Sequence, residues 1–308
     1  MSDWQLTTPV AFLIFNRPET TERVFQAIAR ARPPKLYVIA DGARVGRRGE
    51  AEKCAQTRAI VEQVNWPCDV VTNFSAVNLG CRARVASGLD WLFSQVEEAI
   101  ILEDDCLPHA SFFRYCEELL ERYRHDERVG MIAGSNFQFG RKTGPGSYYF
   151  SKYTHIWGWA TWRRAWKYYD VSAKSWPQFL SSGNFDRMTF PVERSYWRAV
   201  YSAVYAGNID TWDYQWTLAC WAQSMLVAVP EVNLVSNIGF GPTATHTLRS
   251  SPLANIETTA ISWPLEAPAA VTADPVADLR TAGIHFRTGY LHLLGFRIIA
   301  YLRNRFYR

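Results

Sequence analysis

One pattern constrains this chain above all others: short apolar runs alternate with stretches of helical periodicity. Residues 10–15 (VAFLIF), 36–40 (LYVIA), 69–72 and 99–102 read as strands. Between them lie helical segments from Pro18 to before Pro33, at 50–64 and at 82–96, and a further helix at 112–124 precedes a fifth strand at 129–133. Pro18 suits the first turn of a helix, Val24, Phe25 and Ile28 give that helix an apolar face, and Pro33-Pro34 stops it. Val85, Leu89, Leu92 and Phe93 do the same for the third. Strand–helix alternation through short loops predicts a mostly parallel α/β sheet.

Ligands of such sheets bind beyond the carboxyl ends of the strands. That rule sets Asn16-Arg17, Asp41-Gly42 and Glu103-Asp104-Asp105 on one rim. No G-x-G-x-x-G follows the first strand and no G-x-x-x-x-G-K-[ST] occurs, so neither a dinucleotide fingerprint nor a P-loop is expected. The second half is less regular. Residues 139–147 read as a loop, 157–169, 193–205 and 212–223 as helices, 226–229 as a strand, and 242–277 as a Pro/Ala/Thr/Ser-rich loop.

Composition narrows the function classes. With 48% hydrophobic and 20% charged residues over 308 positions, the chain can bury a core, and global disorder is excluded. Its net charge of +4 belongs to one end. No acidic residue follows Asp278, whereas Arg280, Arg287, Arg297, Arg303, Arg305 and Arg308 do. The remainder is slightly acidic, so no nucleic-acid partner is expected. Six cysteines lack zinc or C-x-x-C spacing, and the polar start MSDWQLTTPV has no signal pattern. No run of about 18 apolar residues exists. A cytoplasmic setting is the expectation.

Three successive carboxylates at a buried strand end repel one another and need a compensating cation. Hard divalent ions such as Mg²⁺ or Mn²⁺ take one or two carboxylates plus phosphate oxygens. Glu103-Asp104-Asp105 therefore suits a metal-held diphosphate, against the plainer reading of a solvated acidic turn.

Several segments, in order, resemble GT-A-type glycosyltransferases, and more narrowly the N-acetylglucosaminyltransferase I group and its bacterial relatives. They are 10–18 with its Asn-Arg, 38–41 with its terminal Asp, IILEDDCLPHASFF at 100–113, and Gly158-Trp159 with Trp166. WDYQW at 212–216 and VPEVNLVSNIGFGPTATHT at 229–247 complete the series. The resemblance implies a GT-A (nucleotide-diphospho-sugar transferase) fold with a mostly parallel Rossmann-like sheet flanked by helices. It implies a catalytic domain over 1–247, with a nucleotide-sugar half at 1–134 and an acceptor half at 135–247. Residues 248–283 would then be a linker and 284–308 a basic amphipathic helix.

Residue by residue, it implies that Asn16, Arg17 and Asp41 hold the nucleoside of a UDP-sugar. Glu103 and Asp104 would contact ribose and donor sugar, Asp105 would bind Mn²⁺ or Mg²⁺, and Asp213 would be the catalytic base. His246 would add a metal or diphosphate contact, or be an exposed loop histidine. The activity implied is a metal-dependent, inverting sugar transfer to a glycan or glycolipid.

The residues themselves add further candidates. One carboxylate must take the acceptor hydroxyl proton in such a transfer. Asp213, between Trp212 and Tyr214, suits that role, or a helix N-cap. Arg82 and Arg84 near a helix start oppose its dipole, so an anion such as a diphosphate is expected there. Of 13 tryptophans, nine lie between Trp157 and Trp221. Trp162 with Trp166, and Trp216 with Trp221, have core spacing, whereas Trp157, Trp159 and Trp212 are expected to face a sugar acceptor. The tail at 284–308 alternates apolar residues with arginines, suiting an anionic membrane surface or packing on the domain. Two other functions stay open: a sugar nucleotidyltransferase, which needs a glycine-rich basic loop that Phe15-Asn16-Arg17-Pro18 lacks, and a glycan-binding module built on the tryptophans.

Overall fold

The computed structural model describes residues 4–240, 252–284 and 286 of the chain. In chain order the elements of the first half are β1 (Val10–Ile14), α1 (Pro18–Ala31), β2 (Lys35–Ala40), α2 (Glu50–Ile60), β3 (Asp69–Phe74), α3 (Cys81–Gln95), β4 (Glu98–Glu103), β5 (Cys106–Pro108), α4 (Ser111–Arg122) and β6 (Val129–Ala133). The second half adds β7 (Tyr148–Ser151), β8 (Trp159–Trp162), α5 (Arg163–Trp166), α6 (Trp176–Ser181), α7 (Asn184–Met188), α8 (Arg194–Tyr205), α9 (Asp213–Ala222), β9 (Leu226–Pro230), β10 (Val235–Asn237) and α10 (Pro275–Ile284).

Eight strands form one sheet in the order β3-β2-β1-β4-β8-β6-β9-β7. From β3 to β4 every ladder is parallel, as the alternation predicts. β8 runs antiparallel to β4 and to β6, β9 runs parallel to β6, and β7 closes the edge antiparallel to β9. The architecture is the expected one: α/β, with a Rossmann-like sheet flanked by helices. A separate hairpin-like pair, β5 with β10, sits beside it.

Successive side chains of a strand point to opposite faces, and β1 supplies both. Val10, Phe12 and Ile14 join the core under α1 and α4, whereas Ala11 and Leu13 join the core under α3 and α9. A third apolar cluster gathers Trp176, Phe185, Trp197, Tyr201 and Trp221 around Tyr153, away from the sheet. It is built from α6, α7 and α8, and α6 and α7 lie in a stretch for which periodicity gave no element.

One stretch differs from its sequence reading. Residues 157–169 read as a helix. The chain instead makes β8, fully buried between β4 and β6, then the single turn α5. Gly158, at φ +65°, makes the reversal into β8; a Cβ there would stand 2.7 Å from Val235 Cγ2. Within 242–277, the described part packs on the body: Leu253, Ile261 and Leu265 are buried. α10 then docks through Asp278, whose carboxylate accepts from the Ser151 hydroxyl at 2.6 Å. Among the described residues no helix is long and apolar enough to cross a membrane. The expected basic helix at 284–308 lies, beyond Ile284 and Phe286, outside the described residues.

Candidate functional site

The carboxyl ends of β1 and β4 lie side by side, with Leu13 paired to Glu103. The next residues therefore meet across the rim. Arg17 Nη2 reaches Asp104 Oδ1 at 2.6 Å and its Nη1 reaches Asp105 Oδ2 at 3.0 Å. The Phe15 amide also donates to Asp104, at 3.0 Å. Burial opposes the charge of Arg17, but Asp104, Asp105 and Glu103 outweigh it and hold the guanidinium above its usual range. Burial pushes Glu103 upward, and Asp105 and Asp104 add to the shift, so its carboxyl lies above the ordinary carboxylate range.

From the other side β10 presses on the same group. Its pairing with β5 brings residues 237–239 against the acidic turn, and the Ile238 amide donates to the Asp105 carbonyl at 2.8 Å. At Gly239 the approach is so close that a Cβ would overlap Asp105 Oδ2 and lie 2.7 Å from Arg17 Nη1. The stretch 229–247 had signalled a closing strand, but not that its glycine is needed here.

Asp213 is the first residue of α9, one position inside the helix rather than its cap. The Thr211 hydroxyl donates to Asp213 Oδ1. A cavity of about 260 Å³ connects this helix start to the rim. Arg17, Glu103 and Asp105 line it together with Trp157, Trp212 and Asp213. Cys81 also lines it. Burial, reinforced by Glu103 and Asp213, keeps its thiol protonated.

Other candidates stand elsewhere. Asp41 is engaged by the turn before α3, accepting from the amides of Leu79 and Gly80 and from Asn78 Nδ2 at 2.9–3.1 Å. It anchors that turn and does not line the cavity. Asn16 donates to Glu50 at 2.9 Å, tying the rim to α2. Arg84 is buried and donates to the Ala40 carbonyl and the Asn73 side chain, so it ties β2 to β3 rather than facing an anion. Arg82 lies 3.7 Å from Asp210 and is likewise outside the cavity lining. Trp159, expected to face an acceptor, is 1% exposed inside β8 and stacks on Trp212 with centroids 5.6 Å apart. Trp212 is also buried and lines the cavity, as does the half-buried Trp157. His246 lies outside the described residues.

Sequence reasoning missed Phe137, Thr154, Trp197, Tyr214, Asn237 and Phe286, which also line the cavity. Phe137 follows β6, so the strand-end rule could have found it; Trp197 and Phe286 arrive from distant segments and carry no local signal.

Among the described residues no group of three or more His, Cys, Asp or Glu side chains converges to cage a metal ion. Glu103 and Asp105 nevertheless offer hard oxygen donors to the cavity. That donor set fits an open Mg²⁺ or Mn²⁺ site completed by phosphate oxygens and water, and does not fit a closed all-protein site.

No protein-family model matches the chain, and no curated protein matches it. Solved structures resemble it at low similarity. UDP-glucose pyrophosphorylase complexed with UDP-glucose is 9% identical, covering 73% of this chain and 90% of its own, at TM-score 0.36. Mouse xyloside xylosyltransferase 1 is 11% identical, covering 72% and 85%, at TM-score 0.36. 4-Diphosphocytidyl-2C-methyl-D-erythritol synthase from Anaerococcus prevotii is 8% identical, covering 56% and 77%, at TM-score 0.32.

Proposed function

We propose that the protein is a metal-dependent, inverting glycosyltransferase of the GT-A type that moves a sugar from a UDP-sugar to a glycan or glycolipid. One observation carries this: a single cavity is lined both by the Arg17-braced acidic turn and by Asp213. The separation of roles is what sugar transfer requires. Asp105, with Glu103 beside it, would hold the Mn²⁺ or Mg²⁺ ion. When bound, that ion supplies positive charge to the leaving diphosphate.

Asp213 is the base. It accepts the proton of the acceptor hydroxyl as that oxygen attacks the anomeric carbon. The Thr211 hydroxyl holds one carboxylate oxygen, which fixes the rotamer of the side chain. Trp212 and Trp157, in the same lining, would help to exclude water from the attacking oxygen. The acidic rim alone cannot receive a diphosphate, because Arg17 is already shared between Asp104 and Asp105. A divalent cation held by Asp105 would supply the positive charge that the diphosphate needs.

The test is a thermal-shift series of UDP-sugars with and without Mn²⁺. A melting shift that needs both UDP-sugar and metal supports the reading; one unchanged by chelation counts against the metal. Asp213→Asn should keep the shift and lower turnover roughly a hundredfold to ten-thousandfold. Release of pyrophosphate from UTP and a sugar phosphate would favour nucleotidyl transfer instead.

A further inference from the structure

β1, β2, β3 and β4 run parallel, β8 reverses against both β4 and β6, and β9 follows β6. The carboxyl ends of β2, β6 and β9 therefore share one side of the sheet with those of β1 and β4. Two tight turns on that side are built alike. Residues 44–47 close through the Arg47 amide on the Arg44 carbonyl at 3.3 Å, and residues 138–141 through the Arg141 amide on the Gln138 carbonyl at 3.2 Å. In each, an apolar residue takes the first corner and a glycine the second: Val45-Gly46 and Phe139-Gly140. Two basic residues follow each time, Arg47-Arg48 and Arg141-Lys142. Gly46 and Gly140, at φ +77° and +76°, supply the positive φ of the second corner. Phe139 itself sits at φ +52°, a setting that a bulky residue adopts at a cost. Acidic side chains pin both turns to the body: Glu50 accepts from Arg44 Nη2 at 2.5 Å, and Glu231, just past β9, accepts from the Thr143 amide at 2.8 Å.

The corners face outward. Val45 is fully exposed and Phe139 is 46% exposed, and Arg47, Arg48, Arg141 and Lys142 are exposed as well. Beside the first turn, the loop after β3 adds Val77 and Leu79, 63% and 43% exposed, and Asn78 Nδ2 ties that loop to the Gly42 carbonyl at 2.8 Å. Exposed Glu52 is offset by exposed Lys53 next to it. β2 and β6 stand four positions apart in the sheet, which sets the two turns roughly 20 Å from each other. The ends of β1 and β4 come between them and carry Arg17, Glu103 and Asp105 of the cavity. An apolar tip backed by basic residues suits the headgroup layer of an anionic bilayer, where the tip buries apolar area and the cations meet phosphates. A continuous anionic surface is the partner that satisfies two such widely spaced tips at once.

We propose that the Val45 and Phe139 turns dock this side of the sheet onto an anionic lipid surface, with Arg47, Arg48, Arg141 and Lys142 on the headgroup phosphates. Vesicle co-sedimentation of the full chain tests it. At low salt the chain should bind mixed phosphatidylglycerol–phosphatidylcholine vesicles at least roughly tenfold more tightly than phosphatidylcholine alone, and high salt should release it. The combined variant Arg47→Gln, Arg48→Gln, Arg141→Gln and Lys142→Gln should weaken that binding on the order of a hundredfold. Val45→Asp with Phe139→Asp should weaken it roughly tenfold or more. Unchanged melting temperatures report that these surface variants keep their fold. Equal binding to neutral and anionic vesicles overturns the proposal. So does binding that survives the loop substitutions and is lost in Arg303→Gln, Arg305→Gln and Arg308→Gln, which would move the contact to the basic tail. An affinity for soluble heparin that anionic vesicles fail to compete away overturns it in favour of a soluble polyanion. The proposal stands apart from the transferase reading. A chain that ignores UDP-sugar but passes the vesicle arms keeps the docking surface and loses the transferase; one that answers UDP-sugar but ignores anionic vesicles does the reverse.

Discussion

Replacing Arg17 by methionine would leave Asp104 and Asp105 adjacent on a buried rim with no cation between them. Breaking a buried pair by removing one partner costs about 3–5 kcal/mol, so Arg17→Met should lose most of that in a urea melt. Added Mn²⁺ should restore part of it, because a second cation can take the same place. Asp278 gives a separate pH signature. Burial pushes its carboxyl up to about 7, against the Ser151 hydroxyl and the amide and charge of Lys152; Glu193 faces the same cluster. Folded Asp278 thus keeps a proton that the unfolded chain releases near pH 4. Stability from this group is full below about pH 4 and is lost as pH rises towards 7. Asp278→Asn should remove that slope, with melts at pH 4.5 and 8 differing from wild type by about 2–4 kcal/mol. At this scale the sequence pointed to carboxylates on the rim but not to the partners each one takes. Asp41 and Arg84 are ordinary rim candidates by position, and only the folded chain reveals that backbone groups occupy them.

Gly239 ties an element to the chemistry. It follows β10, whose pairing with β5 holds it against Asp105. Gly239→Ala should abolish the UDP-sugar melting shift while changing the melting temperature of the unliganded chain by only a few degrees, since the clash is with one side-chain pair at the surface of the cavity. Differential scanning fluorimetry of the two proteins checks both halves. The elements that set the donor end were legible because period-2 and period-3.6 patterns were strong and their punctuation clear: β1, α1, β2, α3 and β4 fall within a residue or two of their reading. β8 was not, because its four residues WATW are buried on both faces and offer no alternation. Trp162 instead joined Trp166 in a false helical spacing, and Trp159 was expected to face an acceptor. β5 and β10, three residues each, exist only through their mutual pairing and have no local signature.

Across the whole molecule the cavity bridges structures of unlike construction. Its acidic end hangs from the central strand pair β1–β4, packed on both faces. Its aromatic end draws on Trp197, Tyr214 and Phe286, which belong to the third cluster with α8 and α9. The parallel sheet and the rim that carries residues 103–105 could be read from the sequence, since they depend on order along the chain. The third cluster could not, because it joins Tyr153, residues 173–221 and Ala282 through tertiary packing alone.

The two ends should therefore not soften together on warming. The helical cluster lacks a sheet ladder to lock it, so it should loosen first, and hydrogen exchange would show amides of α8 opening below the temperature that opens β4. On the proposed function, the protein in that interval would still hold a UDP-sugar but no longer shelter Asp213 from solvent. Water would then take the acceptor's place, and the proposed transferase would drift, a few degrees short of melting, into an enzyme that squanders its donor.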